Sequence, residues 1–170
     1  MKTLKFASVV LFLLAALLPV TAQNRPRSTA ESIRGHFASI NRKILEMAKD
    51  FPEDRYNFKP KPEMRSFQEA LVHIASGNVY AAKAGRGEKV SWDELDPHNY
   101  SSKAEVVALV EKSFADADRT LQSLPDDAVA KTVEPWLSVT EHNAEHYGQL
   151  VVYYRESGIV PPASRSGNNN

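Results

Sequence analysis

The sequence predicts an all-α protein built as a four-helix bundle after an N-terminal signal peptide. Four segments carry apolar residues spaced three and four apart, which places those residues along one side of a helix. Three of these segments begin with a serine followed three residues later by a glutamate, the pattern of a helix-capping box. No segment alternates apolar and polar residues as a half-buried strand would. Four apolar stripes of this kind are buried when the helices pack against one another.

The first 22 residues differ from the rest of the chain. Lys2 and Lys5 precede the apolar run FASVVLFLLAALLPV, and the small residues of VTA follow it. This arrangement is typical of a secretory signal peptide, and we expect cleavage after Ala22. An uncleaved membrane anchor is the alternative, although the run is short for a helix that crosses a bilayer. The sequence therefore predicts a protein exported to the periplasm or the extracellular space, without a stable membrane anchor.

The composition is that of one globular domain, which we place at residues 23–165, followed by a disordered tail at 166–170. Apolar residues make up 42% of the 170-residue chain, and 21 basic residues balance 21 acidic ones. This balance gives no overall attraction to nucleic acid, and we expect no nucleic-acid partner. The chain has no cysteine, so disulfides are excluded and any metal must have nitrogen and oxygen ligands.

The first predicted helix is capped by Ser28 with Glu31 and is stopped by Pro52. Its apolar stripe consists of Ile33, Phe37, Ile40, Ile44 and Met47. The prolines of the following stretch, FPEDRYNFKPKPEM, exclude a regular helix there and favour an extended connection.

The second predicted helix is capped by Ser66 with Glu69 and ends near Gly85 or Gly87. Its inward-facing residues are Phe67, Leu71 and Ile74. A longer polar loop with Trp92 and Pro97 leads to the third helix.

The third helix is capped by Ser102 with Glu105 and closed by Pro125. Its stripe consists of Val107, Val110, Phe114, Ala117, Leu121 and Leu124. The fourth helix runs from about Pro135 to Ser157, before Gly158. Its apolar stretch LVVYY is a candidate surface for a homodimer, unless these residues complete the core.

Two histidines four residues apart, His142 and His146, project side by side from the fourth helix. They are either two metal ligands or ordinary histidines at the edge of the buried face. A metal site requires a third ligand. His73 lies in a mostly apolar part of the second helix, where an imidazole needs a polar partner. We expect His36 and His98 to lie on the surface.

The segment HNAEH also fits the H-x-x-E-H pattern of inverted zinc peptidases, with Glu145 as general base. Those enzymes take their third ligand from a glutamate on a later helix. The last acidic residue here is Glu156, which belongs to the same helix, so the sequence disfavours this interpretation.

A family resemblance favours the metal site. The segments SFQEALVHIASGN and EHNAEHYGQLVVYYRESGIVPPASR resemble the DinB-like (DinB/YfiT) superfamily, as does the connection FPEDRYNFKPKPEMRSF. The resemblance covers about residues 28–165. It implies a four-helix bundle with a divalent metal ion held by His73, His142 and His146, zinc or nickel foremost, with iron and manganese as alternatives.

Three imidazoles leave at least one coordination position open, where water or an unidentified small-molecule substrate would bind. Glu145 could orient His142 or relay a proton, although a solvated helix charge is the simpler interpretation. The resemblance implies thiol-dependent transferases or isomerases among the relatives. Export favours a metal-dependent hydrolase over a transferase that needs a cytoplasmic thiol. A non-enzymatic metal-binding or scaffold protein remains the alternative.

Overall fold

The computed structural model describes residues 27–165, so the predicted signal peptide at 1–22 and the predicted tail at 166–170 lie outside the described residues. The described part is all-helical, which confirms the predicted fold class. Its α-helices are α1 (Thr29–Asp50), α2 (Phe67–Gly85), α3 (Lys103–Ser123), α4 (Asp126–Lys131) and α5 (Glu134–Glu156).

All three predicted capping boxes form at the expected serines. In the first, the Ser28 hydroxyl accepts from the Glu31 amide at 3.1 Å, and the Glu31 carboxylate accepts from the Ser28 amide at 2.7 Å. The same reciprocal pair caps α2 at Ser66 and α3 at Ser102. Each box satisfies two backbone amides that have no partner within the helix, and this fixes where each helix begins.

Two local predictions need correction. The connection after α1 is not wholly extended, because Glu53–Arg55 forms one turn of 3₁₀ helix. The short helix α4 was not predicted. It begins after Pro125, contains only six residues and buries only Val129, so it carries no apolar stripe that a sequence pattern could reveal.

The four long helices form a ring in the order α1, α3, α2, α5, with each helix packed against two neighbours. Helices α1 and α5 run in the same direction. Phe37 and Trp136 contact each other in the first halves of the two helices, and Tyr154 donates to the Met47 carbonyl in their last turns.

Helices α2 and α3 also run in the same direction as each other. The side-chain amide of Gln68 donates to the Tyr100 carbonyl where the two helices begin, and Arg86 pairs with Asp116 near the end of α2. The chain must therefore return along the bundle between them, and residues 86–102 form this crossover. The crossover passes beside α2 on its way.

The interior consists of two apolar clusters with a polar layer between them. One cluster surrounds Phe51 and Phe67, and the other surrounds Phe37 and Trp136. The polar layer consists of three buried asparagines, one each from α1, α2 and α5: Asn41, Asn78 and Asn143.

The LVVYY stretch lies mostly in the core. Leu150, Tyr153 and Tyr154 are fully buried, whereas Val152 is 43% exposed. The homodimer stays a prediction. The apolar surface that this stretch exposes for it is smaller than the sequence suggested. Between residues 27 and 165, no helix has the combination of length and apolar character needed to cross a membrane.

Candidate metal centre

The structure brings together the three histidines that the family resemblance implied. His73 projects from α2, and His142 and His146 project from consecutive turns of the neighbouring helix α5. One ring nitrogen from each lies within 4.8 Å of those of the other two. The ring centroids are 4.5 to 4.9 Å apart. The three rings therefore surround one point between two helices.

Each imidazole has a side-chain oxygen next to its Nδ1 atom. The pairs are His73 with Glu94 at 2.9 Å, His142 with Asn143 at 3.2 Å, and His146 with Gln149 at 2.8 Å. An oxygen that accepts a hydrogen bond at Nδ1 favours the tautomer with the proton on that atom. This tautomer leaves the Nε2 lone pair of each ring free to bind a cation.

The Nε2 atoms of His73 and His142 face each other at 3.1 Å. With Nδ1 protonated on both rings, two lone pairs meet at this distance, and a shared cation resolves the repulsion. Two nitrogens bound tetrahedrally to one zinc ion at about 2.0–2.1 Å lie about 3.3 Å apart. The spacing therefore fits a metal ion.

Burial keeps two of these rings neutral at physiological pH. The pKa of His142 is lowered to about 4, chiefly by desolvation; the hydrogen bond with Asn143 opposes this shift, and the charges of His146 and His73 add to it. Desolvation also lowers the pKa of His73, and this effect outweighs the opposing hydrogen bond with Glu94. A neutral imidazole is the form that binds metal, so both rings are ready to bind near pH 7.

Glu94 fixes the orientation of the His73 ring from the crossover. Partial burial would raise the pKa of this carboxyl, but the hydrogen bond to His73 and the charge of Arg65 lower it overall. Arg65 lies 3.2 Å from the same carboxylate. The carboxylate is therefore ionised and accepts a hydrogen bond from the Nδ1–H group of His73.

A glycine makes room for the His142 ring. A Cβ atom placed on Gly77 would lie 2.9 Å from both Cε1 and Nδ1 of His142. Gly77 lies one helical turn after His73, so α2 supplies both a ligand and the space beside it.

Trp92 covers part of the site from the crossover. Its ring centroid lies 5.6 Å from that of His73 and 6.2 Å from that of His142. The Tyr80 ring also lies beside this indole, with the two ring centroids 6.2 Å apart. Trp92 is 49% exposed, so it contacts two of the imidazoles and the solvent at the same time.

The remaining candidates lie elsewhere. His36 and His98 are exposed, as predicted. Glu145 is exposed on α5 and forms no hydrogen bond or ion pair with any residue between 27 and 165, so its role in catalysis stays a prediction. The third ring comes from His73 on an earlier helix, which departs from the arrangement of inverted zinc peptidases.

Sequence reasoning missed the residues that support the three rings. Asn143 and Gln149 lie within the motif itself and have a local signal, one residue after His142 and three after His146. Glu94 and Trp92 have none, because the course of the crossover decides their position.

Fold and site together define a helical bundle with a three-histidine centre that could hold a metal ion. A family model described as the DinB superfamily matches residues 36–153, and the chain belongs to this superfamily. The matched range contains all three histidines and the crossover. No curated protein matched the chain in a sequence comparison.

Proposed function

We propose that the protein binds one divalent metal ion through the Nε2 atoms of His73, His142 and His146 and is a metal-dependent hydrolase. The observation that carries this proposal is the ligand set itself. Within residues 27–165, the group able to hold a metal contains these three side chains alone, so a coordination position stays open. A structural metal site is usually closed by four protein ligands.

The chemistry of the donors favours zinc or nickel. Three neutral imidazoles suit borderline ions such as these and ferrous iron, whereas manganese prefers carboxylate and water ligands. A divalent ion held by His73, His142 and His146 would act as a Lewis acid and would make a bound water easier to deprotonate near neutral pH. This chemistry, together with the expected export away from cytoplasmic thiols, is the reason for placing hydrolysis before thiol transfer.

The chain's own residues have separable roles in this proposal. Glu94 holds the ring of His73, and Gln149 holds the ring of His146. Trp92 limits the access of water on one side. Glu145, exposed one residue before His146, is proposed as a proton relay between the site and solvent.

The experiment is to purify the protein, identify its metal by elemental analysis and measure metal affinity by calorimetry. Ester, amide and thiol-transfer substrates are then screened with the wild type, His146→Ala and His98→Ala. The last variant removes an exposed histidine outside the site. We expect hydrolysis that depends on metal, is lost in His146→Ala and is retained in His98→Ala.

Other outcomes decide between the alternatives. Turnover only with a thiol cosubstrate favours the transferase, and tight metal binding without turnover favours a metal-binding or scaffold protein. Activity unaffected by His146→Ala overturns the catalytic proposal.

We further propose that the protein acts outside the cytoplasm, on the basis of the residues before Gln23. N-terminal sequencing of the protein recovered from the periplasm or medium tests this. A first residue of Gln23 is expected, whereas a chain retained in the cytoplasm with Met1 overturns it.

A further inference from the structure

We propose that the buried asparagines Asn78 and Asn143 are positioning residues that fix the tautomer of His142. This inference rests on the proposed metal site, because the tautomer matters as the means of presenting Nε2 to the ion. It starts from the polar layer between the two apolar clusters, which the proposed function does not use.

The asparagines form one hydrogen-bonded group. The Asn143 amide donates to the Asn41 carbonyl oxygen at 2.7 Å and lies 3.4 Å from that of Asn78. The Asn41 amide lies 3.4 Å from the same Asn78 oxygen. All three residues are at most 6% exposed, so their amides depend on one another rather than on bulk water.

A backbone carbonyl sets the orientation of this group. The Asn78 amide nitrogen donates at 2.9 Å to the carbonyl of Ile74, one turn earlier in α2. Because that carbonyl can only accept, it holds the amide nitrogen of Asn78 toward α2. The carbonyl oxygen of Asn78 lies 3.4 Å from the amide nitrogens of both Asn41 and Asn143, and the Asn78 amide nitrogen also lies 3.4 Å from the Asn143 carbonyl oxygen.

The orientation of the Asn143 side chain then determines the tautomer of the His142 imidazole. Asn143 turns its amide nitrogen toward the oxygens of Asn41 and Asn78. Its own oxygen then lies 3.2 Å from Nδ1 of His142 and 3.4 Å from the Asn78 amide nitrogen. An amide oxygen at this position accepts a hydrogen bond and cannot donate one. His142 is therefore held with its proton on Nδ1 and its lone pair on Nε2.

Packing alone does not account for these residues. Three buried amides are more costly to desolvate than three apolar side chains of similar size, even when paired. The neighbours along each helix are apolar, as shown by Ile44 in α1 and Val139 in α5. Orienting a ligand gives a reason for keeping amides here.

The first test uses the unaltered protein. Nitrogen-15 NMR of the metal-free chain with labelled histidine distinguishes a protonated Nδ1 from a protonated Nε2. We expect His142 to carry its proton on Nδ1. A proton on Nε2, or an even mixture of the two tautomers, overturns the inference.

The second test uses two substitutions at the same position and one matched control. Asn143→Leu removes the acceptor and keeps the volume, whereas Asn143→Asp keeps an oxygen facing His142. Ser113→Ala removes a buried hydroxyl of α3 that donates only to the Val110 carbonyl. The readouts are the His142 tautomer and the affinity for Zn²⁺ in a competition titration.

We expect Asn143→Leu to mix the tautomers and to lower zinc affinity about 10- to 100-fold, the usual effect of losing a residue that orients a ligand. Asn143→Asp keeps the Nδ1 tautomer and most of the affinity, and Ser113→Ala changes neither. The inference is wrong if Asn143→Leu leaves both the tautomer and the zinc affinity at wild-type values. If Asn143→Leu does not fold, the unaltered chain decides, and the Nε2 tautomer there also shows that the inference is wrong.

These readouts separate the inference from the proposed function. A chain that binds no zinc but carries the His142 proton on Nδ1 refutes the metal site and leaves the role of the asparagines standing. A chain that binds zinc with His142 in the other tautomer refutes only the inference.

Discussion

Replacing Gly77 with alanine separates the stability of α2 from the geometry of the metal centre. Alanine in the interior of a helix is usually favoured over glycine by about 0.5–1 kcal/mol. The added methyl group, however, would lie 2.9 Å from His142, and ordinary contact begins at 3.4 Å. The ring must therefore retreat by about 0.5 Å, more than the roughly 0.2 Å by which metal–ligand distances vary.

We expect Gly77→Ala to lower zinc affinity about 10- to 100-fold, a free-energy change of about 1.4–2.7 kcal/mol. Competition titration with a zinc indicator measures the affinity, and urea denaturation of the metal-free protein measures the free energy of unfolding. The unfolding free energy should change by less than about 1 kcal/mol, because the gain in helix propensity and the displaced ring oppose each other.

Gly148→Ala is the matched control. Gly148 is an exposed glycine within α5, and a Cβ atom there meets nothing within 4 Å. This variant should gain stability and keep full zinc affinity. Zinc affinity in Gly77→Ala within twofold of wild type would show that the ring is not confined as described.

Three further predictions concern the crossover and the ion pair between α1 and the last described residue. Glu94→Gln should lower zinc affinity about tenfold in the competition titration, because a neutral amide is a weaker acceptor than the carboxylate; equal affinities contradict the role given to Glu94. Nickel binding should quench the tryptophan fluorescence of the wild type but much less that of Trp92→Phe, because the remaining Trp136 is buried in the apolar cluster that contains Phe37; equal quenching places the metal elsewhere. The hydrogen bond from Arg165 lowers the pKa of Asp50 below its ordinary value of 3.8. A carboxyl with a lowered pKa stabilises the folded state above its unfolded pKa and loses that effect as pH falls through the folded pKa. Asp50→Asn should therefore cost up to about 1 kcal/mol at pH 7 and progressively less as the pH falls below 3.8, as measured by urea denaturation across this range; a cost that grows on acidification contradicts this.

The sequence predicted the starts of three helices correctly because capping is local. Ser28, Ser66 and Ser102 each have their glutamate three residues away, and no tertiary contact is needed to form the box. The directions of the helices could not be predicted in the same way. They depend on contacts such as that between Phe37 and Trp136, which are 99 positions apart in the printed sequence.

The site shows the same division between local and distant information. The spacing of His142 and His146 placed two rings together, because four residues make about one helical turn. His73 was predicted to be the third metal ligand only through the family resemblance. Glu94 was missed because its distance from His73 depends on the path of a crossover with no periodic pattern. The role of Gly77 was missed because this glycine acts by leaving room for the His142 ring, which comes from another helix.

The parallel pairing of α1 with α5 has a consequence for how the protein matures. The two helices are neighbours in space but stand at opposite ends of the described chain, so α5 docks only after everything before it has been synthesised. Two of the three imidazoles arrive with that last helix. A metal ion held by these rings would therefore be acquired late, in the compartment where the chain finishes folding, and the ions available there would decide which one is bound.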